Sequence, residues 1–139
     1  MPSHHSFDTT KLPDRPDAVA PDGSDVRVLL RLEGGSMAHF ELGPGQASRA
    51  VMHRTVSEIW YVLDGRGEMW RKLGAQEVVV ELAPGVCLTI PQGVSFQFRS
   101  LGDAPLSAIG VTMPPWPLDE ERASHEATLV EPHWDPTVT

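Results

Sequence analysis

His53 and Glu58 stand five residues apart in the stretch RAVMHRTVSEIWYVLDGRG, residues 49–67. An imidazole titrates near neutrality, and a carboxylate beside it can orient it and raise its basicity, so such a pair can move a proton. The same two groups can also give a nitrogen and an oxygen to a divalent ion. A third reading is a satisfied structural pair with no chemistry of its own. Strand alternation puts Arg49, Val51 and His53 on one face, and Glu58, Trp60 and Val62 on one face of the following strand. Walls built from Val51, Trp60, Phe96 and Phe98 would exclude water from the pair. Arg49 is a candidate anion contact at a pocket mouth, with an ordinary surface arginine as the alternative. Arg54, Arg71 and Lys72 read as solvated charges. Trp70 and Tyr61 read as core aromatics, and Cys87, in an apolar strand, reads as inert core. No second residue completes a Cys-His or Ser-His-Asp arrangement.

The elements that must position the pair are strands. VRVLLRL (26–32), SMAHFEL (36–42), SRAVMHR (48–54), SEIWYVL (57–63), GEMWRKL (67–73), QEVVVEL (76–82), VCLTI (86–90), VSFQFRS (94–100) and PLSAIGVTM (105–113) are short and rich in β-branched or aromatic residues. Turn residues separate them: EGG, GPG, DGRG, PG, PQG and GD. The regular spacing predicts an all-β sandwich or barrel. SEIWYVL is apolar on both faces, which asks for a second layer or a partner surface and points to a dimer. Asp64-Gly65 suits a hairpin turn that needs positive φ.

The two ends differ from this body. Residues 1–25 carry four prolines and five aspartates, and predict a loose arm. PPWP at 114–117 predicts stiff, extended chain, and LDEERASHEATL after it predicts one short helix with acids at its start. Trp116 and Trp134 are candidate anchors of this tail. The chain divides into an arm (1–25), a body (26–113) and a tail (114–139).

The net charge is −8, yet residues 26–112 are neutral and the acidity lies in the two ends. No basic stripe exists to neutralise phosphates, so nucleic-acid binding is not expected. No apolar run approaches the length of a membrane span. The first residues, MPSHHSFDTTKLPDRPD, have no apolar signal region, and one cysteine cannot close an internal disulfide. A cytoplasmic location is the expectation.

The spacing of residues 45–65 and 85–100 resembles the two motifs of the cupin superfamily. The first runs from Gly45 through Val51, His53 and Glu58 to Gly65, with Val51 where the family has a histidine. The second runs from Gly85 through Pro91 and Gly93 to Phe96 and Ser100, with Phe96 at a histidine position and Ser100 at an asparagine position. The resemblance implies an all-β, double-stranded β-helix, the jelly-roll barrel, with an extended N-terminal arm and a Pro-rich acidic C-terminal tail. It also implies an internal pocket faced by His53 and Glu58. In metal-binding cupins three histidines and the glutamate hold a divalent ion. This chain keeps only His53 and Glu58 of that set, with His39 as the next candidate, so no cofactor is favoured. Some metal-free cupin relatives are sugar-nucleotide epimerases that work through a histidine-based pair.

The reading that follows is a small-molecule-binding homodimer with a His53–Glu58 catalytic pair, in the manner of a metal-free isomerase or epimerase. Arg49, Val51, Trp60, Phe96 and Phe98 are its expected ligand contacts. A metal-dependent oxygenase holding its ion with His53 and Glu58, and a non-catalytic sensing module, stay open as alternatives. Whether the chain is an enzyme is likewise open.

Overall fold

The computed structural model describes residues 7–138. All nine runs read as strands form strands, and two short ones come from the chain ends. In chain order they are β1 (Ala18–Val19), β2 (Asp25–Leu32), β3 (Gly35–Leu42), β4 (Val51–His53), β5 (Ser57–Asp64) and β6 (Gly67–Leu73). Then come β7 (Gln76–Leu82), β8 (Cys87–Ile90), β9 (Ser95–Ser100), β10 (Leu106–Met113), α1 (Glu120–Glu126) and β11 (Ala127–Leu129). One sheet has the order β1-β2-β3-β10-β5-β8 and the other β11-β4-β9-β6-β7, with antiparallel pairing throughout. These two sheets form the double-stranded β-helix. Among the described residues no helix is long and apolar enough to cross a membrane.

Alternation explains how the sheets close on a core. Along β5, Glu58, Trp60 and Val62 are buried while Ile59 and Tyr61 are 48% and 51% exposed. Val51 of β4, Met69 of β6, and Phe96 and Phe98 of β9 face them from the other sheet and are sealed from solvent. Trp60 stacks on Phe40 at 5.3 Å between ring centroids and meets Phe98 edge-on at 5.0 Å. Burying each of these large side chains stabilises the fold by roughly 1.5–3 kcal/mol.

Three expectations are corrected here. Tyr61 is not core: it occupies an odd position of β5, on the outer face. Cys87 is exposed as well, because it pairs with Tyr61 across β5 and β8 on that same face. Asp64-Gly65 does have the positive φ (88° at Gly65), yet it is not a hairpin turn. It carries the chain from β5 in one sheet to β6 in the other, and those strands pair with other partners.

The ends are bonded to the body. The Asp17 carboxylate accepts the Val28 N–H at 2.7 Å, and the Asp17 N–H reaches the Val26 carbonyl at 2.8 Å. Arg27 donates to the Pro13 and Asp14 carbonyls at 2.9 and 3.1 Å. The described part of the expected loose arm is therefore fastened along β2 from Pro13 onward. In the tail, Asp119 caps the predicted short helix by accepting the Glu121 N–H, and Glu120 and Glu121 lie in the first turn. Fully buried Gln97 ties down the residues after it: its amide donates to the Ser48 and Trp134 carbonyls, and its oxygen accepts the His133 and Trp134 N–H groups. Arg99 lies over the Trp134 ring at 4.4 Å, a cation–π contact.

Candidate functional site

The pair is assembled where the chain crosses between sheets. His53 ends β4 in one sheet and Glu58 is the second residue of β5 in the other. The crossing, residues 54–56, is held by the tail helix. Glu126 accepts the Thr55 and Val56 N–H groups at 2.8 and 3.0 Å on one oxygen, and the Thr55 hydroxyl on the other at 2.5 Å. The Arg54 N–H donates to the Glu126 carbonyl at 2.8 Å. Burial pushes the Glu126 carboxyl up, but the hydrogen bonds from Thr55 and Val56 outweigh it, and the group lies below its ordinary value.

With the crossing fixed, His53 Nδ1 lies 3.0 Å from Glu58 Oε2. The ring is turned off the line of a good hydrogen bond, so this buried nitrogen has no aligned partner. Both side chains are almost fully buried. The other Glu58 oxygen, Oε1, accepts the Trp60 indole N–H at 2.9 Å. The His53 ring lies against the edges of Phe96 and Trp116, at 5.2 and 5.1 Å between centroids. Gly110 of β10 makes room: a Cβ there would come within 2.6 Å of Phe40, 3.1 Å of the Trp60 nitrogen and 3.3 Å of Glu58 Oε1.

His53, Glu58 and Trp60 open on a cavity of about 290 Å³. Of the expected ligand contacts, Trp60 lines it. Val51, Phe96 and Phe98 are buried behind it as core, and Phe96 reaches the site only through the His53 ring. Arg49 lies outside the lining and directs its guanidinium to the Pro21 carbonyl at 3.4 Å. The chain ends supply much of the remaining wall. Residues 18–22 and 116–118 line the cavity, with Phe40, Ser36 and Thr112 from the body. Trp116 is held by the Ser36 hydroxyl on its N–H at 3.0 Å and by Arg31 on its carbonyl at 3.1 Å.

Asp22, which sequence reasoning missed, is the other carboxyl of the cavity and is 5% exposed. Burial raises it above its ordinary value. Hydrogen bonds from Ser24 oppose that, the Glu58 charge adds to it and His53 subtracts. In the sequence, Asp22-Gly23 is one more polar turn in an acidic, Pro-rich arm, and nothing local marks it as inward-facing. Trp116 carried a weak signal, as an aromatic residue between prolines.

The donor set does not fit a three-ligand metal centre. Val51 and Phe96 occupy the family's other imidazole positions and are buried hydrocarbon. His39 points away from the cavity into Arg27 and Glu41, where burial and then the Arg27 charge lower its pKa below the ordinary value. Among the described residues no three His, Cys, Asp or Glu side chains are gathered to hold an ion.

Comparison with known proteins agrees with this architecture. A curated relative, an uncharacterized protein of Methanocaldococcus jannaschii, is 27% identical over 117 residues, covering 81% of this chain and 85% of that one. The capsular polysaccharide assembling protein CapF of Staphylococcus aureus superposes with a TM-score of 0.68 at 15% identity, over 81% of this chain. This chain spans only 33% of CapF. A conserved uncharacterized protein of Klebsiella pneumoniae with a double-stranded β-helix domain gives 0.62 at 18% identity, covering 81% of this chain and 89% of its own. A recombinant oxalate oxidase in complex with glycolate also gives 0.62, at 20% identity over 75% of this chain and 57% of that one. At such identities these structures share the fold alone. The family described as "Cupin domain" matches residues 38–112, from β3 to β10, and so takes in both motifs and the site pair. With more than half of its length matched and its jelly roll closed around the motif residues, the chain belongs to the cupin family.

Proposed function

We propose that this cupin binds a small organic molecule in the cavity lined by its six-stranded sheet, His53 and the chain ends, and transfers a proton on it with the His53–Glu58 pair, as an isomerase or epimerase that needs no metal. One observation carries the reading: His53 Nδ1 and Glu58 Oε2 are 3.0 Å apart, buried, in a cavity walled by Trp60, Phe40 and Trp116. Glu58 is anchored by Trp60, and the His53 ring beside it is packed by the edges of Phe96 and Trp116. A base held this way needs little reorganisation to take a proton from a ligand in the cavity. The donor set argues for metal-independent chemistry, since among the described residues no three His, Cys, Asp or Glu side chains are gathered to hold an ion. A homodimer and a cytoplasmic location belong to the same proposal. The first is supported by the exposed Ile59 and Tyr61 and the second by the lone cysteine.

The test uses hydrogen–deuterium exchange at carbon in heavy water, followed by NMR on a panel of small ketones, with His53→Ala and Glu58→Gln beside the wild type. Circular dichroism checks that each variant folds. The wild type is expected to exchange at least one probe, and both variants to fold and lose exchange about a hundredfold or more. Equal exchange by all three proteins would reduce the pair to wall residues.

A further inference from the structure

The chain ends bring a third ionisable group to this cavity. Asp22 sits on a turn pinned from several directions. β1 and β2 flank it in a two-stranded ladder, with Ala18 opposite Val26 and Val19 opposite Asp25. The Ala20 N–H reaches the Ser24 carbonyl at 2.8 Å, closing the turn. The Arg49 N–H donates to the Asp22 carbonyl at 2.7 Å, and the Val138 side chain from the tail packs against Gly23. The result is a buried carboxyl directed into the cavity that holds His53 and Glu58. Its Oδ1 accepts the Ser24 N–H at 2.9 Å and the Ser24 hydroxyl at 2.6 Å; among the described residues Oδ2 accepts none.

The two carboxyl groups of the cavity have different surroundings. Glu58 has the Trp60 indole N–H on one oxygen and the His53 ring beside the other. Asp22 has only its own turn, and its charged form is disfavoured by burial and by Glu58. A carboxyl held on its own turn, its charged form disfavoured by burial, can serve as an acid beside a base built from other residues.

We propose that Asp22 is the proton donor of the site, and that the ligand is an uncharged compact molecule bearing an oxygen that accepts Asp22's hydrogen bond. The proposal rests on the reading of His53–Glu58 as the base and adds its counterpart. In the step, the pair removes a proton from carbon, and the electrons of that C–H bond form a carbon–carbon double bond to the carbonyl carbon. The carbonyl π pair moves to oxygen, which takes the Asp22 proton. Returning a proton to carbon and one to Asp22 completes an isomerisation with no net oxidation or reduction. Selectivity for an uncharged ligand follows from the lining. Two carboxyls face the interior, while the arginine that lines the cavity, Arg31, is an exposed residue bonded to the Trp116 carbonyl. An anionic ligand would meet the Glu58 charge in an apolar enclosure whose arginine, Arg31, is taken up by the Trp116 carbonyl.

The experiment has two arms on the full-length protein. Asp22→Asn keeps an oxygen for the Ser24 turn and removes the acid, so a role confined to the turn would leave it silent. In the first arm, infrared difference spectra at neutral pH compare wild type with Asp22→Asn; the charged groups around the carboxyl are Glu58 on β5, His53 on β4 and Arg49 ahead of β4. A protonated-carboxyl stretch present only in the wild type is expected, and its absence overturns the proposal. In the second arm, carbon-bound hydrogen exchange is followed with cyclohexanone and with pyruvate. Exchange of cyclohexanone is expected to exceed that of pyruvate and to fall about a hundredfold in Asp22→Asn. Equal exchange by wild type and variant, or a preference for pyruvate, overturns it. If the infrared band is present but the wild type exchanges neither probe, the isomerase reading fails while the protonated donor stands.

Discussion

Glu58 accepts the Trp60 indole N–H on one oxygen and sets the other beside His53, in a space that Gly110 leaves open. Site geometry at this scale depends on contacts of a few tenths of an ångström. Gly110→Ala puts a methyl group within 2.6 Å of the Phe40 ring and 3.1 Å of the Trp60 nitrogen, so Phe40 or the Trp60–Glu58 bond must shift. The expected cost is about 1–3 kcal/mol, the usual penalty for overpacking. Denaturant unfolding measures it, and indole fluorescence should report a changed Trp60 environment even in the folded variant. A variant as stable as wild type with unchanged fluorescence would show that this wall yields more easily than the geometry implies.

Among the elements, α1 acts on the site without touching the cavity. Its last residue, Glu126, satisfies two backbone N–H groups and a hydroxyl on the crossing between His53 and Glu58. Hydrogen bonds to a buried carboxylate are worth roughly 1.5–3 kcal/mol each. Because the folded state holds the Glu126 proton more weakly than its ordinary value of 4.5, its contribution is present above that pH and is lost as pH falls through the lower folded value. His39 acts in the same direction over a different window. It is held below 6.5 in the fold, so its contribution is lost on acidification beneath that value. Asp22 works oppositely: its raised folded value gives stability that is lost as pH climbs from 3.8 through it. Glu126→Gln is therefore expected to lower the denaturation midpoint at neutral pH and to flatten the decline below about pH 4.5. Identical slopes for wild type and variant in that range would remove Glu126 from the acid response.

For the whole molecule, the open question is what covers the outer face of the six-stranded sheet. Ile59 and Tyr61 stand half exposed there, next to Thr89 and Cys87 of β8 across the ladder. An apolar sheet face of this kind asks for a cover, and a second copy of the chain is the proposed one. Ile59→Lys with Tyr61→Glu should convert a dimer into a monomer in light scattering at tens of micromolar while leaving the circular dichroism unchanged. A wild-type protein that is already monomeric under those conditions would end the dimer proposal.

The sequence by itself determined the strands of the body, because a period of two with turn residues between the runs is a local signal. The resemblance of its motif spacing to the cupins implied that His53 and Glu58 share a pocket, and the fold brings them together from two different sheets. The sequence read Asp64-Gly65 as a turn, but which strands that turn joined was decided by pairing between residues far apart in the chain. The outward direction of Tyr61 and Cys87 was likewise a matter of which face the second sheet covered. The cavity wall shows the limit most clearly. Asp22, Trp116 and the Glu126 clamp lie in polar or Pro-rich ends with no periodicity to read. They reach the site because bonds from Arg49, Ser36 and Thr55, distant in sequence, hold those ends against the barrel. Hydrophobic alternation is written along the chain, whereas the hydrogen-bond partners of a buried polar group are set only when the fold brings them within reach.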